Sequence, residues 1–177
     1  MILMVGAAGA GKSIQGHQLA DQYGYAYIST GDVFRVLFTG KRRKEMLEGK
    51  LLSDDEVIRV VNRVLEFIDT KEQFILDGFP RTKRQIDWLL EQHEAGRFDL
   101  PVVLNLEIPE EVIRERLGKR GRLDDNEAAI SQRFNDYQEV TRPILAYMAE
   151  KGLKVIEVDA AGSPAEVHAR ITAQLGI

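Results

Sequence analysis

The chain has 177 residues, 44% hydrophobic and 29% charged, with a formal net charge of −4. That length suits one domain with a real core, and the negative balance argues against a general affinity for nucleic acid. The absence of cysteine excludes disulfides, thiol catalysis and cysteine-based zinc sites.

The first apolar run, residues 2–5, reads as a strand. It leads directly into Gly6-Ala7-Ala8-Gly9-Ala10-Gly11-Lys12-Ser13, a complete G-x-x-x-x-G-K-S loop, and then into a helix-like stretch ending near Tyr23-Gly24. A glycine-rich turn from strand to helix aims successive backbone N–H groups into one concavity, and the helix N-terminus adds partial positive charge there. Gly9, Ala10 and Gly11 supply the cradle, Lys12 a charge for the β- and γ-phosphates, and Ser13 a hydroxyl that can ligate Mg²⁺. A turn that only packs a helix on a sheet is the bland alternative, and the flanking elements disfavour it. The run begins at Met1 or Ile2, which leaves no room for a signal peptide.

A second apolar run at 25–28 precedes Ser29-Thr30-Gly31-Asp32. The polar stretch 39–50, with Lys41-Arg42-Arg43-Lys44, reads as a small helical insertion whose basic residues form a solvated face. Residues 54–69 follow with Val57, Val61, Val64, Leu65 and Ile68 on one helical face, behind a Ser53-x-x-Glu56 capping box. The third run, 74–76, ends at Asp77, and Thr82-x-x-Gln85 is a further capping box. After the fourth run, 102–106, Pro109-Glu110-Glu111 opens a helix with acids at its positive end. A second polar connection spans 119–125. Asp124 and Asp125 are good N-caps for a long helix from about Asn126, carrying Ile130, Phe134, Tyr137, Thr141 and Leu145, which Pro143 should kink. The fifth run, 155–158, leads to Ser163-Pro164-Ala165-Glu166, a capping box with Pro at the first helical position.

Near-continuous apolar strands alternating with helices describe an α/β protein with a parallel sheet covered on both faces. Ligands of such sheets sit beyond the carboxyl ends of the strands, where the motifs fall. No apolar run approaches the ~20 residues of a membrane span. His17, His93 and His168 show no metal spacing, so no structural zinc is expected.

Read together, GAAGAGKSIQ (6–15), STGDVFR (29–35), GKLLSD (49–54), DGFPRT (77–82) with Gln85, the pair Arg120 and Arg122, Asp124-Asp125-Asn126 and Arg133 resemble the adenylate kinases, within the nucleoside monophosphate kinases. The resemblance runs from end to end in family order. It implies a P-loop three-layer sandwich with a five-stranded parallel sheet in the order 2-3-1-4-5, one domain over 1–177, a helical monophosphate-binding insertion at 30–53 and a residual lid at 119–125. It implies ATP + AMP ⇌ 2 ADP with Mg²⁺ in the cytoplasm, with neither nucleic acid nor membrane as partner. A monomer is expected, with oligomers left open.

Carried over position by position, Lys12 would hold the donor phosphates, Arg35 and Arg81 the AMP phosphate, and Arg120, Arg122 and Arg133 the transferring group. Asp77 would reach Mg²⁺ through water, beside Ser13, and Asp124 would approach the metal shell or orient the arginines. Arg116 and the loop at Gly162 would face the ATP adenine, with Ile14 at the exit of the phosphate loop. Thr30, Leu52 and Gly78, with Lys50 and Leu51, would complete the AMP pocket, and Gln85 would read the adenine edge. Arg116 also suits a charged helix surface, and Gln85 a cap.

Three features depart from the family. Ile14 stands where threonine is usual, the insertion is short, and one residue, Gly121, separates Arg120 from Arg122. These raise the expectation of a leakier site with weaker ATP binding. Kinases of CMP, UMP or GMP, and a nucleotide-binding protein that has lost catalysis, are the competing readings.

Overall fold

In the computed structural model of the chain, residues 1–48, 52–120 and 126–177 are described. Among them, β1 (Ile2–Gly6), β2 (Ala26–Ser29), β3 (Phe74–Asp77), β4 (Val102–Glu107) and β5 (Lys154–Asp159) form one parallel sheet in the order β2-β3-β1-β4-β5. The order matches the expectation, and each strand ends one residue beyond its predicted apolar segment.

Alternation along β1 divides the core in two. Met1, Leu3 and Val5 join Phe74, Leu76 and Val103 on one face, under helices α4 (Asp54–Leu65), α5 (Lys83–Glu94) and α8 (Ile144–Glu150). Ile2 and Met4 join Ile75, Leu104, Leu106, Ile156 and Val158 on the other, under α1 (Lys12–Tyr23) and α9 (Pro164–Leu175). Leu3, Ile75, Leu76, Val103 and Leu104 are fully buried. The central strands carry apolar residues toward both layers, as a sheet covered on both sides requires.

The remaining helices are α2 (Thr30–Leu37), α3 (Gly40–Leu47), α6 (Glu110–Arg120) and α7 (Glu127–Asp136). The predicted 54–69 helix stops at Leu65, with Val57, Val61 and Leu65 buried and Val64 and Ile68 packed beside them. Pro143 interrupts the long helix as expected: a π-turn over Tyr137–Thr141, with Arg142 N–H donating to Tyr137 O at 2.6 Å, carries the chain from α7 to α8. This satisfies backbone groups that a proline would otherwise strand.

Three caps differ from expectation. Ser53 Oγ donates to Glu56 Oε2 at 2.7 Å rather than accepting from the backbone, so that box does not form. Glu56 N–H donates instead to Ser53 O at 3.1 Å, and the Glu56 carboxylate also pairs with Arg42 of α3. Thr82 does accept from Gln85 N–H, but Gln85 Oε1 takes the N–H of Arg81, one residue earlier than a box requires. The cap of α7 is Asn126, whose side chain accepts from Ala129 N–H; Asp124 and Asp125 lie outside the described residues. The Ser163–Glu166 box forms in full.

Candidate active site

The strand order reverses at β1, which has β3 on one side and β4 on the other. Ligand clefts of α/β sheets open at such switch points, beyond the carboxyl strand ends. Here a cleft of about 690 Å³ opens there, within the size range of nucleotide and cofactor pockets.

Gly6 begins the floor. Its φ is +144°, and a Cβ would stand 2.7 Å from Leu106 O, so only glycine lets the loop leave β1 against β4. Gly11 caps α1 in the left-handed region, and the N-terminus of α1 faces the cleft. Lys12 Nζ donates to Gly6 O at 2.7 Å and Ala7 O at 2.9 Å. The lysine thus folds back over its own loop, whose carbonyls hold the ammonium beside the concavity.

At the end of β3, Asp77 is 4% exposed. Its Oδ2 accepts from Tyr27 OH at 2.8 Å and from Ser13 Oγ at 3.2 Å, and its carbonyl accepts from Thr30 Oγ1 at 3.0 Å. Burial, reinforced by the Asp77 charge, pushes the Tyr27 phenol well above its ordinary value, so it stays a donor. Ser13 and Asp77 both line the cleft and together offer hard oxygen ligands. Mg²⁺ takes few protein ligands and keeps waters and substrate phosphates, so this pair fits it without a closed cage. No group of three or more His, Cys, Asp or Glu residues that could hold a metal occurs among the described residues.

Gly78 follows with φ +83°, and a Cβ there would lie 2.6 Å from Thr30 Oγ1 and 3.2 Å from Arg81 Nη2. Glycine here lets the Asp77-Gly78-Phe79-Pro80-Arg81 turn close on itself, with Arg81 Nε donating to Gly78 O at 2.8 Å. Burial pushes the Arg81 guanidinium below its ordinary value. Asp77 and Asp136 act against that, and Arg133 and Arg35 add to it. An arginine starts so high that it remains a cation. Arg35, Arg81 and Arg133 therefore converge on one space, a concentration of positive charge suited to phosphate. Arg35 is set by Asp32 at 2.6 Å, and Arg133 Nη2 lies 3.4 Å from Met46 O of α3.

The two ends of the cleft differ. Arg116 Nη2 donates to Gly162 O at 2.9 Å and Ala160 O at 3.2 Å, which holds the guanidinium beside the loop before α9. Ile14, Gln15, Gly162, Pro164 and Val167 complete that end. Phe34, Met46, Leu52 and Val57 wall the other end, next to Thr30, Gly78 and Gln85. Gln85 is 3% exposed, and its amide is engaged on both sides: Nε2 donates to Asp54 Oδ1 at 2.7 Å and Oε1 accepts from Arg81 N–H at 2.7 Å.

The structure thus gathers Lys12, Ser13, Ile14, Thr30, Arg35, Leu52, Asp77, Gly78, Arg81, Gln85, Arg116, Arg133 and Gly162 around one cleft. Lys50, Leu51, Gly121, Arg122, Asp124 and Asp125 lie outside the described residues, and Arg120 is placed only as the end of α6. Motif reading missed Tyr27, Asp54, Asp136 and the apolar wall of Phe34, Met46 and Val57. The wall was legible in part, because Phe34 stands four residues after Thr30, on the same face of α2.

A parallel α/β sheet with a phosphate loop at its switch point, a buried Asp–Ser pair and converging arginines defines a P-loop nucleotide phosphotransferase. The comparisons narrow that class. The sequence model of the adenylate kinase family matches residues 4–153. Proteins named adenylate kinase match at 37% identity from Corynebacterium glutamicum (99% of this chain, 98% of the relative), 38% from Thermus thermophilus (99% and 97%) and 36% from Corynebacterium urealyticum (94% and 93%). The chain belongs to the adenylate kinase family. Each of these relatives is covered over nearly its whole length, so none carries a large additional domain that this chain lacks.

Proposed function

We infer that the chain catalyses reversible phosphoryl transfer between ATP and AMP, giving two ADP. The observation that carries the reading is the convergence of Arg35, Arg81 and Arg133 opposite Lys12 across a single cleft. A triphosphate hydrolase needs a donor site and a water. A monophosphate acceptor brings a second dianion to the donor, and only fixed cations on both sides make that approach favourable.

In this reading the loop N–H groups and Lys12 bind the donor triphosphate. Ser13 and Asp77 would hold Mg²⁺, which when bound would neutralise phosphate charge and help fix the donor. Arg35 and Arg81 grip the acceptor phosphate, and Arg133, with Arg120 and Arg122, surrounds the group in flight. Phosphoryl transfer spreads charge over the equatorial oxygens, and these guanidinium forks meet it without reorganising. Arg116 stacks on the donor adenine, its plane held by the carbonyls of Ala160 and Gly162. The acceptor base lies against Phe34, Met46, Leu52 and Val57. For Gln85 to read the adenine edge, its amide must exchange the hydrogen bond to Asp54 for one to the base. A cytoplasmic site of action follows from the substrates. Among the described residues no helix is long and apolar enough to cross a membrane.

The test is ADP formation from Mg·ATP and AMP, run beside Arg81→Ala. Removing a guanidinium that meets transition-state charge costs on the order of 10³-fold in kcat. Wild type and variant turning over equally slowly would refute the reading. Offering CMP, UMP and GMP in place of AMP separates this function from the other monophosphate kinases.

A further inference from the structure

We propose that Tyr27 is a positioning residue of the phosphotransfer site, holding the Asp77 carboxylate in the orientation that Mg²⁺ requires. The proposal rests on the kinase reading given above. Tyr27 belongs to no phosphate-binding motif and sits 50 residues from Asp77 in sequence, yet three elements are arranged to bring its hydroxyl there.

The first element is the β2–β3 pair. Its register sets Ser29 beside Asp77 and Tyr27 beside Ile75, so the tyrosine starts two residues short of the carboxylate and must reach forward. The second is α1, which gives the ring its path. A Cβ added at Gly16 would lie 2.2 Å from Tyr27 Cε2, so the ring occupies the volume that any other residue at 16 would fill. The neighbouring His17 ring packs against it, with centroids 4.3 Å apart. The third is the start of α1, where Ser13 Oγ meets the same oxygen, Asp77 Oδ2, that accepts from Tyr27 OH.

Two hydroxyls on one carboxylate oxygen do what one cannot. A buried carboxylate with a single partner can turn about its terminal torsion, which is broad and soft. Two donors from different elements fix its plane and leave Oδ1 to accept from a metal-bound water. The Ser13 proton is at the same time committed to Asp77, which leaves the serine oxygen's lone pairs for the cation. Groups that orient metal ligands in this way typically carry 10–100-fold in metal affinity or activity.

The experiment is equilibrium binding without turnover. The full chain is titrated calorimetrically with the β,γ-imido analogue of ATP, with and without Mg²⁺, as wild type and as Tyr27→Phe. Phenylalanine keeps the ring over Gly16 and against His17 and removes only the donor. The affinity gained on adding Mg²⁺ should shrink about tenfold or more in the variant. Binding of the metal-free analogue and of AMP should not change. Gly16→Ala, which displaces the ring and leaves every hydroxyl in the sequence, should reproduce the loss, and this second route reads the geometry if Tyr27→Phe is poorly folded. A lowered Tm with an undiminished gain from Mg²⁺ makes Tyr27 a packing residue and overturns the proposal. A wild-type chain that binds neither the analogue nor AMP overturns the kinase reading itself.

Discussion

Ile14 stands at the exit of the phosphate loop, where the resemblance to the family leads one to expect threonine. It follows Ser13 at the start of α1, lines the cleft and is 52% exposed. An exposed isoleucine gains little from burial, so its presence does not support the fold, and it withholds a hydroxyl from the phosphates. Ile14→Thr keeps the β-branch and restores that donor. The KM for Mg·ATP should fall about tenfold, the worth of roughly 1.5 kcal/mol for a hydrogen bond to a charged group, with kcat and the AMP KM little changed. Initial rates at varied Mg·ATP check this. An unaltered KM would mean that Ser13 and the loop N–H groups already saturate the phosphates. The same stretch shows what sequence reading delivers at this scale. Lys12 and Ser13 were legible because phosphate binding calls for those residue types directly after a glycine-rich turn, and Asp77 and Arg81 because DGFPRT resembles a family motif; all four line the cleft. Tyr27 and Asp136 were not. The first owes its role to a strand register and a missing side chain at Gly16, and the second reads as a polar residue of α7 until the fold sets it near Arg81.

At the scale of elements, the entry to α9 couples stability to the donor site. Ser163 Oγ accepts from Glu166 N–H, and Glu166 Oε2 accepts from Ser163 N–H at 2.8 Å. That closes the loop whose carbonyls at Ala160 and Gly162 hold Arg116. Ser163→Ala should lower Tm by on the order of 2–4 °C, the usual worth of a cap in a chain of this size. It should also raise the KM for Mg·ATP while sparing that for AMP. The Glu166 carboxyl is held below its ordinary value by the backbone and then the side-chain hydrogen bonds of Ser163. Its contribution is therefore present above the ordinary carboxylate pKa and is lost as pH falls through the lowered one. The Tm gap between wild type and variant should accordingly narrow as pH falls through the lowered Glu166 value and level off without closing, because the bond from Glu166 N–H to Ser163 Oγ carries no titrating group. This box was readable because all its partners lie within four residues. The Ser53–Glu56 pair, equally good on paper, does not close: Glu56 N–H goes to the Ser53 carbonyl and Ser53 Oγ donates to the Glu56 carboxylate, a choice among local partners that the residue types alone do not reveal.

For the whole molecule, the question is how the cleft excludes water. From the end of α6 at Arg120 to the start of α7 at Glu127 the chain has six residues. Six residues fully extended span at most about 22 Å, and about half that out and back, so this connection cannot carry a separate covering domain. Near the cleft among the described residues stands α3, where Arg133 meets Met46 O and from which Arg42 reaches Glu56 of α4. Closure over the acceptor end has that structural basis, and the six-residue connection is too short to give the donor end a domain of its own. Water exclusion protects a reactive phosphoryl group from hydrolysis, and a cover completes the cation cage. The expected outcome is a site that transfers to AMP but leaks. Phosphate release from Mg·ATP without AMP, divided by ADP formation with AMP, should exceed the same ratio in a family member with a full lid domain. The excess should fall when AMP analogues occupy the acceptor end, because the acceptor itself then displaces the water. A ratio equal to that of the lidded enzyme would mean that the arginine cage excludes water without a cover, and that family lids serve affinity and not protection.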